Sequence, residues 1–270
     1  MNLTKAKYSG FCFGVKKALD IVDNLKGDNA YILGELIHNP QVIEKLKERG
    51  IQILEDINDI TKGTIVISAH GMPDSAIKQC KGLNVIDATC PLVKKVHMIS
   101  KEFETEGFTT LIFGDKHHQE VKGTAGNLKD CLIASNIEEL KALDLNRKIG
   151  IVSQTTQEVE KFNKIVDYVK DKAKETKVYN TICSATRQRQ EAAAELAKTM
   201  DLVIVIGGYN SANTVKLKDI CSEITETKHI ESTNELKEEW FKGKQNIGIT
   251  AGASTPEWVI EEVVEKISSF

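Results

Sequence analysis

What this sequence lacks narrows its character first. Its longest apolar run, "LVIVIGG" at 202–208, is far shorter than the roughly 20 residues a membrane-crossing helix needs. The opening residues, "MNLTKAKYSGFCFG", have no apolar core of a secretory signal. Neither sign of charge dominates: 36 basic residues against 39 acidic ones leave a formal net charge of −3, which is no footprint for nucleic acid or an anionic membrane. No two cysteines have the C-x-x-C spacing, which removes the zinc ribbon and the thioredoxin-type motif. A cytoplasmic protein without a nucleic-acid or membrane partner is expected.

Six cysteines are nevertheless present, and in a cytosolic chain they argue for reduced thiols, metal ligation or catalysis before disulfides. Cys80, Cys131 and Cys221 sit in ordinary amphipathic or apolar stretches and read as core thiols. Cys12, Cys90 and Cys183 differ. "GFCFGVKKA" (10–18) and "DATCPLVKKV" (87–96) repeat one phrase, Cys-x-x-Val-Lys-Lys, 78 residues apart, and Cys183 follows 93 residues later. Before each lies a short stretch compatible with a strand: "AKYSG", "NVIDA" and "KVYNT". After each comes a helical pattern. Val15, Ala18, Leu19, Val22 and Leu25 share one face of the first helix, and Leu92, Val96, Ile99 and Phe103 one face of the second. Pro91 suits a first helical position, where its missing N–H costs nothing.

Each helix leads to a strand that stops in a polar tip: "AYILGELIHN" (30–39), "TTLIFGDKHHQE" (109–120) and "DLVIVIGGYNSAN" (201–213). A second such strand follows in each case: "GTIVISAHG" (63–71), "KIGIVSQTT" (148–156) and "QNIGITAGAS" (245–254). This alternation predicts an α/β fold of three similar modules with mainly parallel sheets, spanning 14–90, 91–180 and 181–270. The third module ends on the helical "TPEWVIEEVVEKISSF" with no closing strand, so the N-terminal strand within 1–13 is expected to complete it. Such closure would bring the three cysteines to one centre.

Ligands of parallel sheets gather at the carboxyl ends of the strands, where these cysteines and tips lie. A thiol at a helix N-terminus ionises more easily, and thiolates hold iron–sulfur clusters and zinc. Structural zinc is normally closed by four ligands, so three thiolates fit an open site such as a [4Fe–4S] cluster with one iron free. The same spacing also suits three buried cysteines at module joints. The tips carry His38, His70, His118, Glu120, Thr155, Ser211, Asn213 and Ser254. Taken singly these have ordinary uses, such as helix caps in "YNSAN" and "GAST". Together, uncharged donors and imidazoles at helix starts suit an enclosed diphosphate. Glu120 is the candidate general acid, provided a dry pocket raises its pKa. No role falls to His97, His117 or His229.

"GFCFGVKKA", "LIHNPQV", "SAHGMP", "DATCPLVKKVH", "SQTT", "TICSATRQRQ" and "GITAGAS" together resemble, in order and spacing, the 4-hydroxy-3-methylbut-2-enyl diphosphate reductases, which end the non-mevalonate isoprenoid pathway. The likeness runs from residue 10 to about 258. It implies three α/β domains around one [4Fe–4S] cluster held by Cys12, Cys90 and Cys183, with the remaining iron open to the substrate's hydroxyl oxygen. It implies a diphosphate held by His38, His70, Ser211, Asn213 and Ser254, with His118 lining the pocket. Ala212, where the family often has serine, offers only backbone or packing. Thr155 is implied near the substrate hydroxyl, Glu120 as the proton source, and a ferredoxin or flavodoxin as the electron donor. The tip reads "HHQE", with Gln119 in the place of the family's usual proline. Two readings from other classes compete: a non-catalytic iron–sulfur redox sensor, and a phosphate-ligand binding protein with structural cysteines.

Overall fold

The computed structural model describes residues 1–25, 29–55 and 60–270. The chain starts with β1 (Asn2–Lys5), α1 (Phe13–Asp23), β2 (Ala30–Leu33), α2 (Pro40–Glu48), β3 (Gln52–Leu54), β4 (Thr64–Ile67), α3 (Asp74–Gln79) and β5 (Asn84–Asp87). It continues with α4 (Pro91–Thr105), β6 (Thr109–Phe113), α5 (Gln119–Ala125), β7 (Cys131–Ala134), α6 (Ile137–Lys141), β8 (Lys148–Ser153), α7 (Val159–Lys170) and β9 (Glu175–Val178). The last stretch holds α8 (Ser184–Ala197), β10 (Leu202–Ile206), α9 (Ala212–Ser222), β11 (Thr227–Ile230), β12 (Asn246–Ala251) and α10 (Glu257–Ser268).

These strands form three four-stranded parallel sheets, ordered β3-β2-β4-β5, β7-β6-β8-β9 and β11-β10-β12-β1. The order is the same in each. The edge place that β5 and β9 fill in their sheets is filled in the third by β1, whose Asn2 to Lys5 pair with Asn246 to Ile249. The fold is α/β with three like sheets, as the alternation predicts.

Side chains alternate across each sheet, and both faces are apolar because both carry helices. In the second sheet Leu111, Phe113, Ile149 and Ile151 pack with Phe162, Ile165 and Val169 of α7. Ile112 and Val152, pointing the other way, pack with Val96, Ile99 and Phe103 of α4. The third sheet repeats this: Ile204, Ile206, Ile247 and Ile249 meet α10, while Val203 and Val205 meet α8 and α9. Each large aliphatic side chain so buried contributes roughly 1.5–3 kcal/mol before chain entropy is counted. Gly150 in β8 and Gly248 in β12 occupy the same place in their strands. A methyl group at Gly150 would lie 2.2 Å from the Phe103 ring, and one at Gly248 2.8 Å from Met200.

Three details differ from expectation. Leu92 is exposed, and Val93 takes the core-facing place beside Val96, Ile99 and Phe103, because the buried face of α4 is turned one residue further along. "AKYSG" is not a strand. The ladder ends at Lys5, and Gly10 turns the chain with φ +74° ahead of Cys12. Cys131 lies on edge strand β7 and is half-buried rather than central, since an edge strand leaves part of its side-chain surface to solvent.

The chain divides into two compact units. One comprises Met1–Lys16, Ile37–Glu44 and Ser184–Phe270; the other comprises Lys17–Leu36 and Lys45–Cys183. Segment Ile37–Glu44 belongs to the unit of the third sheet. Within that unit Gln41 donates to the Glu231 carbonyl at 3.1 Å, and a methyl at Gly208 would stand 3.0 Å from the His38 carbonyl oxygen.

Candidate active site

The three cysteines are placed by one device. Cys90 directly precedes α4, with Pro91 as the first helical residue, while Cys183 precedes α8 and Cys12 lies just before α1. Each backbone N–H donates to a carbonyl in the polar tip of its sheet's second long strand. Cys90 N bonds to Ala69 O at 3.0 Å, Cys183 N to Thr155 O at 3.1 Å, and Cys12 N to Ala253 O at 3.1 Å. Those carbonyls belong to or adjoin His70, Thr155 and Ser254. Each thiol is thereby tied to a polar tip residue. All three are half-buried and none is in a disulfide, and the Cys12 sulfur accepts from Val15 N at 3.5 Å, the open end of its helix. Burial pushes the Cys221 thiol up to about 12, and raises those of Cys80 and Cys131.

In the second unit the polar tips converge on Glu120. His118 caps α5: its Nδ1 accepts from Glu120 N at 3.2 Å, which leaves Nε2 to carry the proton of a neutral ring. Gln119 then holds the first helical position, where a proline would also be tolerated; here the imidazole cap, not a proline ring, sets the entry of the chain. Glu120 is 3% exposed. Thr155 N donates to its Oε1 at 2.6 Å and Thr155 Oγ1 is 2.8 Å from Oε2. Burial raises the Glu120 carboxyl from 4.5 to about 7 and outweighs both hydrogen bonds, which act to lower it. The His70 and His118 rings meet edge to face at 5.6 Å between centroids. Buried Gln154, which sequence reasoning passed over, binds the two tips together. Its N–H donates to Phe113 O, its Oε1 accepts from Asp115 N at 3.1 Å, and its Nε2 donates to Thr156 Oγ1 at 2.9 Å. The only signal for it was its place in "SQTT".

The first unit holds Cys12, His38, Ser211, Ala212, Asn213 and Ser254. Asn39 buries its amide and caps α2 by accepting from Val42 N at 2.9 Å, which fixes His38 just ahead of the helix. Ser211 caps α9, as "YNSAN" allows, and Ala212 is its first residue. Asn213 does not cap. It is 4% exposed on the first turn of α9, and neither its Oδ1 nor its Nδ2 has a hydrogen-bond partner among the described residues. The buried Thr214 hydroxyl lacks one as well. A buried amide left unbonded costs about 1–3 kcal/mol, a cost that a polar group brought to this place would remove. Ser254 is half-buried in the turn after β12 and does not cap α10, whose N-cap is Pro256. Among the remaining histidines, His117 is exposed. His97 is half-buried with its pKa lowered by burial, and His229 sits on β11 with Nε2 2.8 Å from Gly207 O.

Three half-buried thiols at helix starts are the donor chemistry of an iron–sulfur cluster. The thiols are divided, Cys12 in one unit and Cys90 and Cys183 in the other. Within either unit, no three described His, Cys, Asp or Glu side chains stand close enough to hold a metal ion. No described helix is long and apolar enough to cross a membrane.

Three parallel sheets, each with a cysteine joint hydrogen-bonded to a polar strand tip, define an α/β protein of three like sheets. More particularly, residues 3–268 match the family described as LytB protein, and the chain belongs to that family. It is 46% identical over 276 residues to the 4-hydroxy-3-methylbut-2-enyl diphosphate reductase of Campylobacter hominis, covering 100% of both chains. It is 43% identical to the enzyme of the same name from a Nitratiruptor species, covering 100% of this chain and 99% of the other. A solved structure of (E)-4-hydroxy-3-methyl-but-2-enyl diphosphate reductase, the terminal enzyme of the non-mevalonate pathway, is 40% identical with a TM-score of 0.73, covering 99% of each chain. The Plasmodium falciparum E-1-hydroxy-2-methyl-but-2-enyl-4-diphosphate reductase is 32% identical with a TM-score of 0.91, covering 97% of this chain and 86% of that one.

Proposed function

We propose that this protein converts (E)-4-hydroxy-3-methylbut-2-enyl diphosphate to isopentenyl and dimethylallyl diphosphate in the cytoplasm. The reaction takes up two electrons and two protons. The allylic C–O bond breaks, one proton leaves with the hydroxyl oxygen as water, and the other ends on carbon. The Glu120–Thr155 pair carries this reading. A carboxyl with a pKa of about 7, shut away from water, is half protonated near neutrality and suited to hand over a proton. Thr155, bonded to both its oxygens through backbone and side chain, holds the carboxyl in one orientation and offers a hydroxyl to the substrate's own. His118, with Nδ1 occupied by the α5 cap, presents Nε2–H as a donor. Together with His38, His70, Ser211, Asn213 and Ser254 it would hold the diphosphate, the Asn213 amide gaining there the partners it lacks, while Ala212 contributes packing.

Cys12, Cys90 and Cys183 would hold one [4Fe–4S] cluster per chain, which when bound supplies the electrons and a Lewis-acidic iron. The chain's own part is to fix the substrate through its diphosphate and to keep water from the proton donor. A ferredoxin or flavodoxin would bring the electrons one at a time.

Anaerobic purification with iron and sulfide analysis, Mössbauer spectra with and without substrate, and product analysis under a chemical reductant test this reading. The expected result is a four-iron cluster perturbed by substrate, together with both products. A colourless protein with full affinity for the allylic diphosphate would make it a binding protein. A cluster without diphosphate affinity would make it a sensor.

A further inference from the structure

In the unit of the third sheet, two polar tips from distant parts of the chain are tied to one turn. That turn, residues 231–235, follows β11 and closes on itself: Glu235 Oε1 accepts from Glu231 N at 2.9 Å and from Ser232 N at 3.1 Å. On one side Gln41, shortly after His38, donates from Nε2 to the Glu231 carbonyl at 3.1 Å. On the other side Tyr209, shortly before Ser211, reaches the turn through backbone and side chain. Its N–H donates to Glu231 Oε1 at 2.8 Å, and its hydroxyl donates to Glu235 Oε2, with the His229 carbonyl 3.2 Å away. The tyrosine ring also packs on the His229 ring at 4.5 Å between centroids. His229 in turn donates from Nε2 to Gly207 O at 2.8 Å, since a carbonyl can only accept.

Core packing does not account for these contacts, because Tyr209 is 52% exposed. The softness of the chain beside it does. Between β10 and α9 the backbone passes through two glycines, Gly207 with φ +143° and Gly208, where a methyl would stand 3.0 Å from the His38 carbonyl oxygen. Glycine lets the two segments approach this closely, and leaves the tip free to take other shapes. Tyr209 is the next residue, and its contacts remove that freedom. The hydrogen bond to Glu235 pushes the Tyr209 hydroxyl up to about 12, which keeps its proton in place as a donor.

We propose that Tyr209, His229, Glu231, Glu235 and Gln41 form a bracket that fixes the spacing of His38 from Ser211 and Asn213, and thereby sets the affinity for the diphosphate. The inference rests on the proposed function, because it assigns how that site keeps its shape. The five are positioning residues, acting through His38, Ser211 and Asn213. Donors already held in place lose little freedom when the ligand arrives, so the gain falls on substrate affinity. Binding that is equal in the ground and transition states lowers KM without raising kcat.

The test uses anaerobically prepared holoprotein. Affinity for inorganic pyrophosphate and for the allylic diphosphate is measured by calorimetry, turnover with reduced methyl viologen, and hydrogen exchange at 207–213 without ligand. Tyr209→Phe keeps the ring against His229 and loses the hydroxyl. We expect Kd for both ligands and KM to rise about fivefold, with kcat, its pH profile and iron content unchanged, and exchange at 207–213 to quicken. Glu235→Gln can still accept from both turn N–H groups and donate to the Tyr209 hydroxyl, so it should keep near-parent affinity, whereas Glu235→Leu should lose it. Gln41→Leu should weaken binding too, and Gln41→Leu/Tyr209→Phe by less than the two effects combined, because both act through one turn. Unchanged Kd and KM in Tyr209→Phe overturn the proposal. So does an equal fall in kcat or iron, which would make the turn a general support of the fold. Absence of diphosphate affinity in the parent would instead refute the proposed reaction, while the exchange measurement would still judge the bracket.

Discussion

Glu120 carries the sharpest consequence of burial at the scale of one residue. Its carboxyl is held near 7 in the fold against 4.5 ordinarily, so the native state keeps a proton that the unfolded chain has released over that interval. The sign follows: stability attached to this group is fully present below about 4.5 and is lost as pH rises through about 7, a change of roughly 3 kcal/mol at most. Glu120→Gln keeps both contacts with Thr155, accepting from its N–H and donating to its hydroxyl, without ever carrying charge. That variant should match the parent in thermal melts at pH 5 and exceed it at pH 8, retain iron, and lose nearly all turnover. A second residue tells the same story without titration. Asn213→Leu removes two buried polar atoms that have no partner, so urea denaturation should show it about 1–3 kcal/mol more stable. Its affinity for an allylic diphosphate, measured by calorimetry, should fall at least tenfold.

Helix starts are the elements that carry the site. Gln119 occupies the first helical position of α5, so Gln119→Pro should fit without strain and stabilise by about 0.4–1 kcal/mol through the unfolded chain, with kcat unchanged. Gly10 is the opposite case. At φ +74°, with an added methyl 3.3 Å from Thr255 O and its own carbonyl receiving the buried Arg189 guanidinium at 2.6 Å, Gly10→Ala should cost about 1–3 kcal/mol. Iron retained after desalting should drop with it, because Cys12 lies two residues on. How far such elements were legible depends on range. The helices behind Cys12 and Cys90 announced themselves by periodicity, and Pro91 by its position, because those signals are local. The His118 cap was hidden because "HHQE" reads equally well as loop. The three cysteine N–H bonds were hidden because their acceptors lie 21, 28 and 241 residues away.

At the scale of the whole molecule, sequence order and contact part company in two places. Alternating strands and helices made three like sheets readable, and the missing closing strand pointed to the N-terminus for its substitute; β1 pairing with β12 supplies it. Nothing local shows that Ile37–Glu44 joins the unit of the third sheet, since that depends on contacts such as Gln41 with Glu231. Deleting residues 1–5 would bare the edge of β12, whose Ile247 and Ile249 lie in the core. Hydrogen exchange should then quicken across β10, β11 and β12, while β6 and β8 keep their protection.

The pairing of Asn2 with Asn246 also sets a timetable. As the chain leaves the ribosome, β1 emerges first and waits, with Cys12 beside it, until Ala253 exists to receive the Cys12 N–H. Cys90 and Cys183 have their acceptors upstream, so they can be seated as soon as they are made. An arrangement that needs all three of these bonds therefore waits for the last of the three sheets, and is complete only near the end of synthesis.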